Sequence, residues 1–380
     1  MHSPLAAWPE PLPADTVDLL TRFHGDHSPT AALRERLRAH ADDPAALHRI
    51  VEPIAPPPED CAAELPPEGT EAWAALDAEG TRAIAAGEVA VVVLAGGMAT
   101  RFGSVIKALA EVFEGVRFLD AKAADLTRWR GAVPAALMTS FATDEAIAAA
   151  LEADGHSATW ARAPQFVSLR LRPDGALFRD GTGRPSPYAT GHGDLPEALR
   201  DAGLLDAWRA RGVRTVLVSN VDNLGATVDP ALYAHHRRAG GRITVELVSK
   251  WPGDRGGLPV SLGGHLVLAE AFRLPAGFPD DDFPLFNTNT LWIDLDVLDA
   301  TARPETPWTW CVAQKKVDGR PAIQFERLVG ELTWWHPTRY VRVAREGHAA
   351  RFVPVKEVED LDRYAEALRA VWARITATTG

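Results

Sequence analysis

Seven consecutive apolar residues, Val89 to Ala95, run straight into Gly96-Gly97. The run is too short for a helix, is rich in β-branched valine and ends at turn residues, which predicts a strand buried on both faces. Such a strand needs helices above and below it. The flanking sequence supplies them: an alanine-rich helical stretch from Glu71 to Ala86 closes at Gly87, as helices often do. Similar units follow. AVPAALMTS precedes a helix predicted over Thr143 to Ala153, and VRTVLVSNVDN follows one predicted around Leu199 to Arg211. The alternation predicts an α/β fold with a doubly wound, mostly parallel sheet. RITVELVSK, HLVLAEAF, FNTNTLWIDL and ARFVPVKEVEDL are more strand-rich and predict a mixed region built onto that sheet.

Three regions are expected. Residues 1–87 read as a helical N-terminal segment, with Leu19, Leu20, Phe23 and Leu33 at apolar positions, and with a proline cluster from Pro53 to Gly69 that forms a linker or a wrapping segment. Residues 88–361 form the main domain. Residues 362–380 read as a C-terminal helix.

The formal charge of -11 and the absence of any lysine or arginine run exclude a basic nucleic-acid footprint. Cys61 and Cys311 are the only cysteines and form neither a zinc spacing nor a disulfide framework, which suits a reducing cytoplasm. No apolar stretch approaches membrane-spanning length, and the N-terminus lacks a leader pattern, so a cytoplasmic protein is expected.

In doubly wound sheets ligands bind at the carboxyl ends of the strands, which directs attention to the turn after Leu94 and Ala95. Gly96 and Gly97 would let a phosphate approach bare backbone, and Thr100 and Arg101 add a hydroxyl and a fixed positive charge. A tight strand-to-helix turn is the alternative reading of the glycine pair. The stretch fits neither the dinucleotide glycine fingerprint nor the Walker pattern, which argues against a dehydrogenase. Asp222 follows the second apolar strand, where a metal ligand would face phosphates. Only six of the 40 basic residues are lysines: Lys107, Lys122, Lys250, Lys315, Lys316 and Lys356. In a chain that otherwise uses arginine, each lysine marks a place for a compact ammonium.

LAGGMATRFG resembles the LAGGxGTRxG loop of sugar-1-phosphate nucleotidyltransferases. Further blocks, GHGD at Gly191 to Asp194, VSNVDNLGATVDP at Val218 to Pro230, FNTNTLW at Phe286 to Trp292, IQFE at Ile323 to Glu326 and RFVPVKEVEDL at Arg351 to Leu361, occur in the order of the UDP-glucose / UDP-N-acetylhexosamine pyrophosphorylase family. The resemblance implies a Rossmann-like, glycosyltransferase-A-like nucleotidyltransferase domain. It implies attack of a sugar phosphate on the α-phosphorus of a nucleoside triphosphate with release of pyrophosphate, UTP and glucose 1-phosphate being the leading pair, and Mg²⁺ as cofactor. By the same resemblance Asp222 binds the metal. Arg101, Lys107 and Lys356 neutralise phosphate charge. Leu94, Ala95, Gly96, Gly97, Thr100, Gln165, Gly191, His192 and Asn220 contact the nucleotide. Asp194, Asn223, Lys250, Asn287, Asn289 and Glu326 contact the substrate, Glu326 being preferred to Glu270. His192 is expected to orient a group, since a phosphate nucleophile needs no base.

The chain departs from the family pattern at several points. Ala99 replaces a glycine, SVIKAL lacks the proline before the lysine and is one residue shorter, ATGHGD replaces PPGHGD, and Thr290 replaces an asparagine. The family's C-terminal β-helical domain is not expected in this short form. The departures bear on substrate identity and keep open another triphosphate, such as GTP, with a cyclitol phosphate from antibiotic biosynthesis. A non-catalytic sugar-nucleotide sensor is the alternative of a different class.

Overall fold

The computed structural model describes residues 8, 10–99, 105–113, 115–279 and 283–377. Its centre is an eight-stranded sheet of β1 (Ala63–Glu64), β2 (Val89–Leu94), β3 (Ala135–Met138), β4 (Trp160–Arg162), β5 (Thr215–Asn220), β6 (Ile243–Ser249), β7 (Leu285–Asp294) and β8 (Thr338–Arg342). The spatial order is β1-β8-β6-β7-β5-β2-β3-β4. All neighbours run parallel except the two pairs made by β7. The α/β, mostly parallel mixed sheet is therefore observed.

The apolar run at β2 is buried along its whole length because the pleat sends alternate side chains to opposite layers. Val89, Val91 and Val93 join one core cluster, whereas Ala90, Val92 and Leu94 join the other. The helices are α1 (Ala14–Arg22), α2 (Thr30–Ala39), α3 (Glu71–Ala85), α4 (Phe118–Thr127), α5 (Asp144–Ala153), α6 (Leu195–Asp201), α7 (Leu204–Ala210), α8 (Pro230–Ala239), α9 (Leu295–Thr301), α10 (Glu359–Arg363) and α11 (Ala365–Thr376). Thr70 caps α3 by accepting from Trp73 N, and Asp229 caps α8 by accepting from Leu232 N. Leu20, Phe23 and Leu33 are buried against Val167, Leu169 and Phe325. The proline-rich stretch wraps the domain: Ile54–Ala55 pairs with the hairpin strand Gly257–Leu262, and β1 pairs with β8.

Two expectations are corrected. The single helix around Leu199 to Arg211 is two, α6 and α7, because Gly203 takes a left-handed φ of 69° between them. ARFVPVKEVEDL is not a ladder strand: it makes only an isolated bridge, Asn223 to Pro354, before α10. Among the described residues no helix is long and apolar enough to cross a membrane.

Candidate active site

β2 and β5 are adjacent parallel strands, and Leu94 and Asn220 are register partners at their carboxyl ends. Beyond them opens a cavity of about 340 Å³ lined by Gly96, Gly97, Lys107, Gln165, Gly191, His192, Asn220, Asp222 and Glu326 among others. The strand ends thus gather residues that the sequence scatters over 230 positions, from Gly96 to Glu326.

The glycine turn is held from behind. Ala95 N donates to Met138 O, Thr143 Oγ1 donates to Ala95 O, and Ser140 Oγ donates to Gly96 O. A Cβ at Gly96 would lie 2.6 Å from Gln165 Nε2, so the Gln165 amide rests directly on bare backbone. Gly97, by contrast, faces open space. Thr100 and Arg101 lie outside the described residues, as does the side chain of Ala99.

Lys107 begins a short turn after β2 and is buried, its Nζ 4.0 Å from Asp222 Oδ2. Asp222 keeps 22% of its side chain exposed on the cavity side. Burial pushes its carboxyl up, while the ammonium groups of Lys107, Lys356 and Lys122 pull it down. Lys356 is exposed and close enough to act on both Asp222 and Glu270.

His192 is half-buried, and its Nδ1 accepts from Val329 N. That bond assigns the proton to Nε2, and burial pushes the imidazole down to about 4, so a neutral N–H donor faces the cavity. Gly191 has a φ of 99°, and a Cβ there would meet Arg327 O at 2.4 Å. Asn289 takes a left-handed φ of 56° and donates from Nδ2 to Asn220 Oδ1, while its N–H donates to Asn287 Oδ1. Glu326 sits on the cavity wall near Lys315, its carboxyl pushed up by burial.

Of the expected substrate contacts only Glu326 lines the cavity; Asn289 and Asn287 are linked to it through the hydrogen bond to Asn220, and three stand elsewhere. Asp194 is fully buried: Oδ1 accepts from Arg327, and Oδ2 accepts from Phe166 N and Thr190 Oγ1. Its carboxylate is consumed in fixing the Gly191 turn. Asn223 is likewise buried, donating to Arg351 O and accepting from Val353 N. Lys250, just past β6, is not among the cavity residues.

Three further residues shape the site: Arg327, which the sequence reading does not name, and Lys122 and Glu270, which it names without placing them in the site. Arg327 is buried between Asp194, Glu197 and the rings of Trp308, Trp310 and Phe166. Lys122 is buried beneath the Asp222 loop, donating to Asn223 O at 2.7 Å and Ala226 O at 2.9 Å, and burial lowers its ammonium to about 8. Its place among so few lysines was the available signal. Glu270 was set behind Glu326, yet a Cβ at Gly257 would lie 2.9 Å from Glu270 Oε1 and 3.1 Å from Asn287 Nδ2. Both side chains thus crowd the Gly257 backbone, and burial pushes Glu270 up to about 7 against the lowering effect of Arg273 and Lys356.

The family model described as UTP–glucose-1-phosphate uridylyltransferase matches residues 59–368, which span both strand ends and every lining residue of the cavity. The chain belongs to this family. The UTP–glucose-1-phosphate uridylyltransferase of Saccharomyces cerevisiae is 32% identical over 72% of this chain and 58% of its own length. A UDP-glucose phosphorylase of Trypanosoma brucei superimposes with a TM-score of 0.65 at 26% identity, covering 73% of this chain and 66% of its own. The Trypanosoma brucei UDP-N-acetylglucosamine pyrophosphorylase has the same fold, with a TM-score of 0.76 at 19% identity over 94% of this chain and 78% of its own. The chain spans about three fifths of the length of the curated relatives it matches.

Proposed function

We propose that the chain is a cytoplasmic uridylyltransferase that joins UTP to glucose 1-phosphate, forming UDP-glucose and releasing pyrophosphate. The observation that carries this reading is the meeting of bare backbone at Gly97, the Lys107 ammonium and the Asp222 carboxylate in one cavity at the ends of β2 and β5. An oxygen of the sugar phosphate bonds to the α-phosphorus while the bond from that phosphorus to the bridging oxygen breaks. Both reactants are anionic, so the protein's task is positioning and charge neutralisation.

Gln165 and the Gly191 backbone face the nucleobase, since an amide both donates to and accepts from a uracil edge. His192 Nε2–H donates a hydrogen bond and takes no proton. Asn220, held by Asn289, flanks the ribose and phosphates, and Gly96 with Gly97 receives the phosphates. Lys107, Lys356 and Arg101 offset their charge. Glu270 and Asn287, which both crowd the Gly257 backbone, accept from and donate to sugar hydroxyls.

The donor set suits magnesium. Asp222 and Glu326 offer carboxylate oxygens to the cavity, and the one imidazole there presents an N–H where a metal would need a lone pair. Asp222 would hold the ion, which when bound screens phosphate charge and orients the triphosphate.

The test is pyrophosphate release with each common nucleoside triphosphate, crossed against sugar and cyclitol 1-phosphates, with and without magnesium. Magnesium-dependent release with UTP and glucose 1-phosphate is expected. Release with a different pair alone, or tight nucleotide binding with no turnover, overturns the reading.

A further inference from the structure

Away from the cavity, one cluster of metal-ligating side chains stands out among the described residues. His24, Asp26 and His27 each offer a donor atom, all within 4.8 Å of one another. Asp201, the last residue of α6, brings a second carboxylate to the same place: its Oδ2 lies 3.6 Å from His24 Nδ1 and 3.5 Å from His27 Nε2.

These separations exceed ordinary N–H···O hydrogen bonds, which run about 2.7–3.2 Å. They are close to the spacing of neighbouring ligands around a tetrahedral zinc, about 3.3 Å for metal–ligand bonds of ~2.0–2.1 Å. Asp201 thus adds a second negative charge beside the two imidazoles and the Asp26 carboxylate, whose donor atoms lie close enough together to share one ion.

The local backbone favours this convergence. His24 takes a left-handed φ of 50° and leads into the turn Gly25–His27, which brings both imidazoles to one side of the chain. The turn is seated firmly, because a Cβ at Gly25 would lie 2.7 Å from Leu20 Cδ2 and 3.1 Å from Val167 O. Both rings rest on Phe166, with centroid distances of 5.5 Å for His24 and 4.2 Å for His27. We infer that His24, Asp26 and His27 bind a divalent transition ion of the zinc class, with the Asp201 carboxylate close by.

Two imidazoles and the Asp26 carboxylate form the donor set, Asp201 adds a second negative charge nearby, and nitrogen ligands select zinc, copper or nickel over magnesium. The site is distinct from Asp222. An ion there ties the N-terminal segment, through the end of α1, to α6, the helix that follows the His192 turn. The His24 and His27 side chains are 47% and 29% exposed, so an ion can enter from solvent.

The experiment is zinc titration of the metal-stripped full chain against a chromophoric chelator, on the wild type, on H24A/H27A and on D222N. The wild type and D222N are expected to retain one zinc equivalent that H24A/H27A loses. Cobalt added in place of zinc should give the visible bands of a tetrahedral site in the first two proteins only. Excess zinc should raise the melting midpoint of the wild type and leave that of H24A/H27A unmoved. Equal zinc binding by wild type and H24A/H27A overturns the inference, and so does loss of the equivalent in D222N alone.

Discussion

Lys107 Nζ faces Asp222 Oδ2 across 4.0 Å, although one follows β2 and the other β5. The pair exists because two parallel strands in register end side by side. In the proposed reaction the two charges would serve a triphosphate differently, one as a direct counter-charge and one as an anchor for a cation.

Lys107→Met keeps the bulk of the stem and removes the charge. Turnover is expected to fall by about 10²–10³, the usual scale for losing a group that stabilises developing charge, with little change in KM for UTP. Steady-state pyrophosphate release reads both constants. Unaltered turnover would remove Lys107 from the chemistry.

Gly191→Ala places a methyl 2.4 Å from Arg327 O at a φ of 99°. A non-glycine residue in such backbone costs on the order of 1–3 kcal/mol before any clash. Urea unfolding should show at least that loss, and kcat/KM should fall with it because His192 follows directly in the chain. A variant as stable as the wild type would contradict the close approach.

Arg327→Met leaves Asp194 and Glu197 buried without their guanidinium. Breaking a buried pair in this way costs about 3–5 kcal/mol. The triple change R327M/D194N/E197Q, which removes the stranded charges as well, should recover part of that loss in the same unfolding assay. Equal stability of the single and triple variants would refute the charge argument.

Glu270 ionises near 7 in the folded protein, against 4.5 for an ordinary glutamate, with burial as the main cause. Between those values the folded state holds a proton that the unfolded state has released, so stability falls as pH rises through that window. Melting midpoints of wild type and Glu270→Gln measured from pH 4.5 to 7.5 should diverge, the wild type losing ground as pH rises. Parallel curves would place the titration elsewhere.

The sequence was most legible where burial leaves an unbroken signature. β2 is apolar throughout because both of its faces are covered, and Gly96 after it is the kind of residue that lets Gln165 lie on the backbone. ARFVPVKEVEDL misled because its apolar positions are buried beside the Asp222 loop and joined to it by Asn223's amide, and hydropathy registers burial without naming the partner. Asp194 and Asn223 sit in the right motifs but spend their hydrogen bonds on protein groups; the residue that decides this for Asp194 is Arg327, 133 positions away. Thr290, the departure within FNTNTLW, has a buried Oγ1 with no hydrogen-bond partner among the described groups, and nothing in the structure explains it.

The Asp222 loop is completed from far along the chain. Val353 N donates to Asn223 Oδ1 across 130 residues, and Val355 N donates to Asp222 O. A ribosome adding about 5–20 residues per second needs roughly 6–26 s to make that interval. Throughout it, β2 and β5 can pair, the glycine turn can form and Lys122 can hold Asn223 O and Ala226 O, but the Val353 and Val355 donors to the Asp222 loop and Lys356 have not been made. The cavity at the ends of β2 and β5 is therefore incomplete in a nascent chain for seconds, and the Asp222 loop gains its last backbone partners only when residues 351–356 dock.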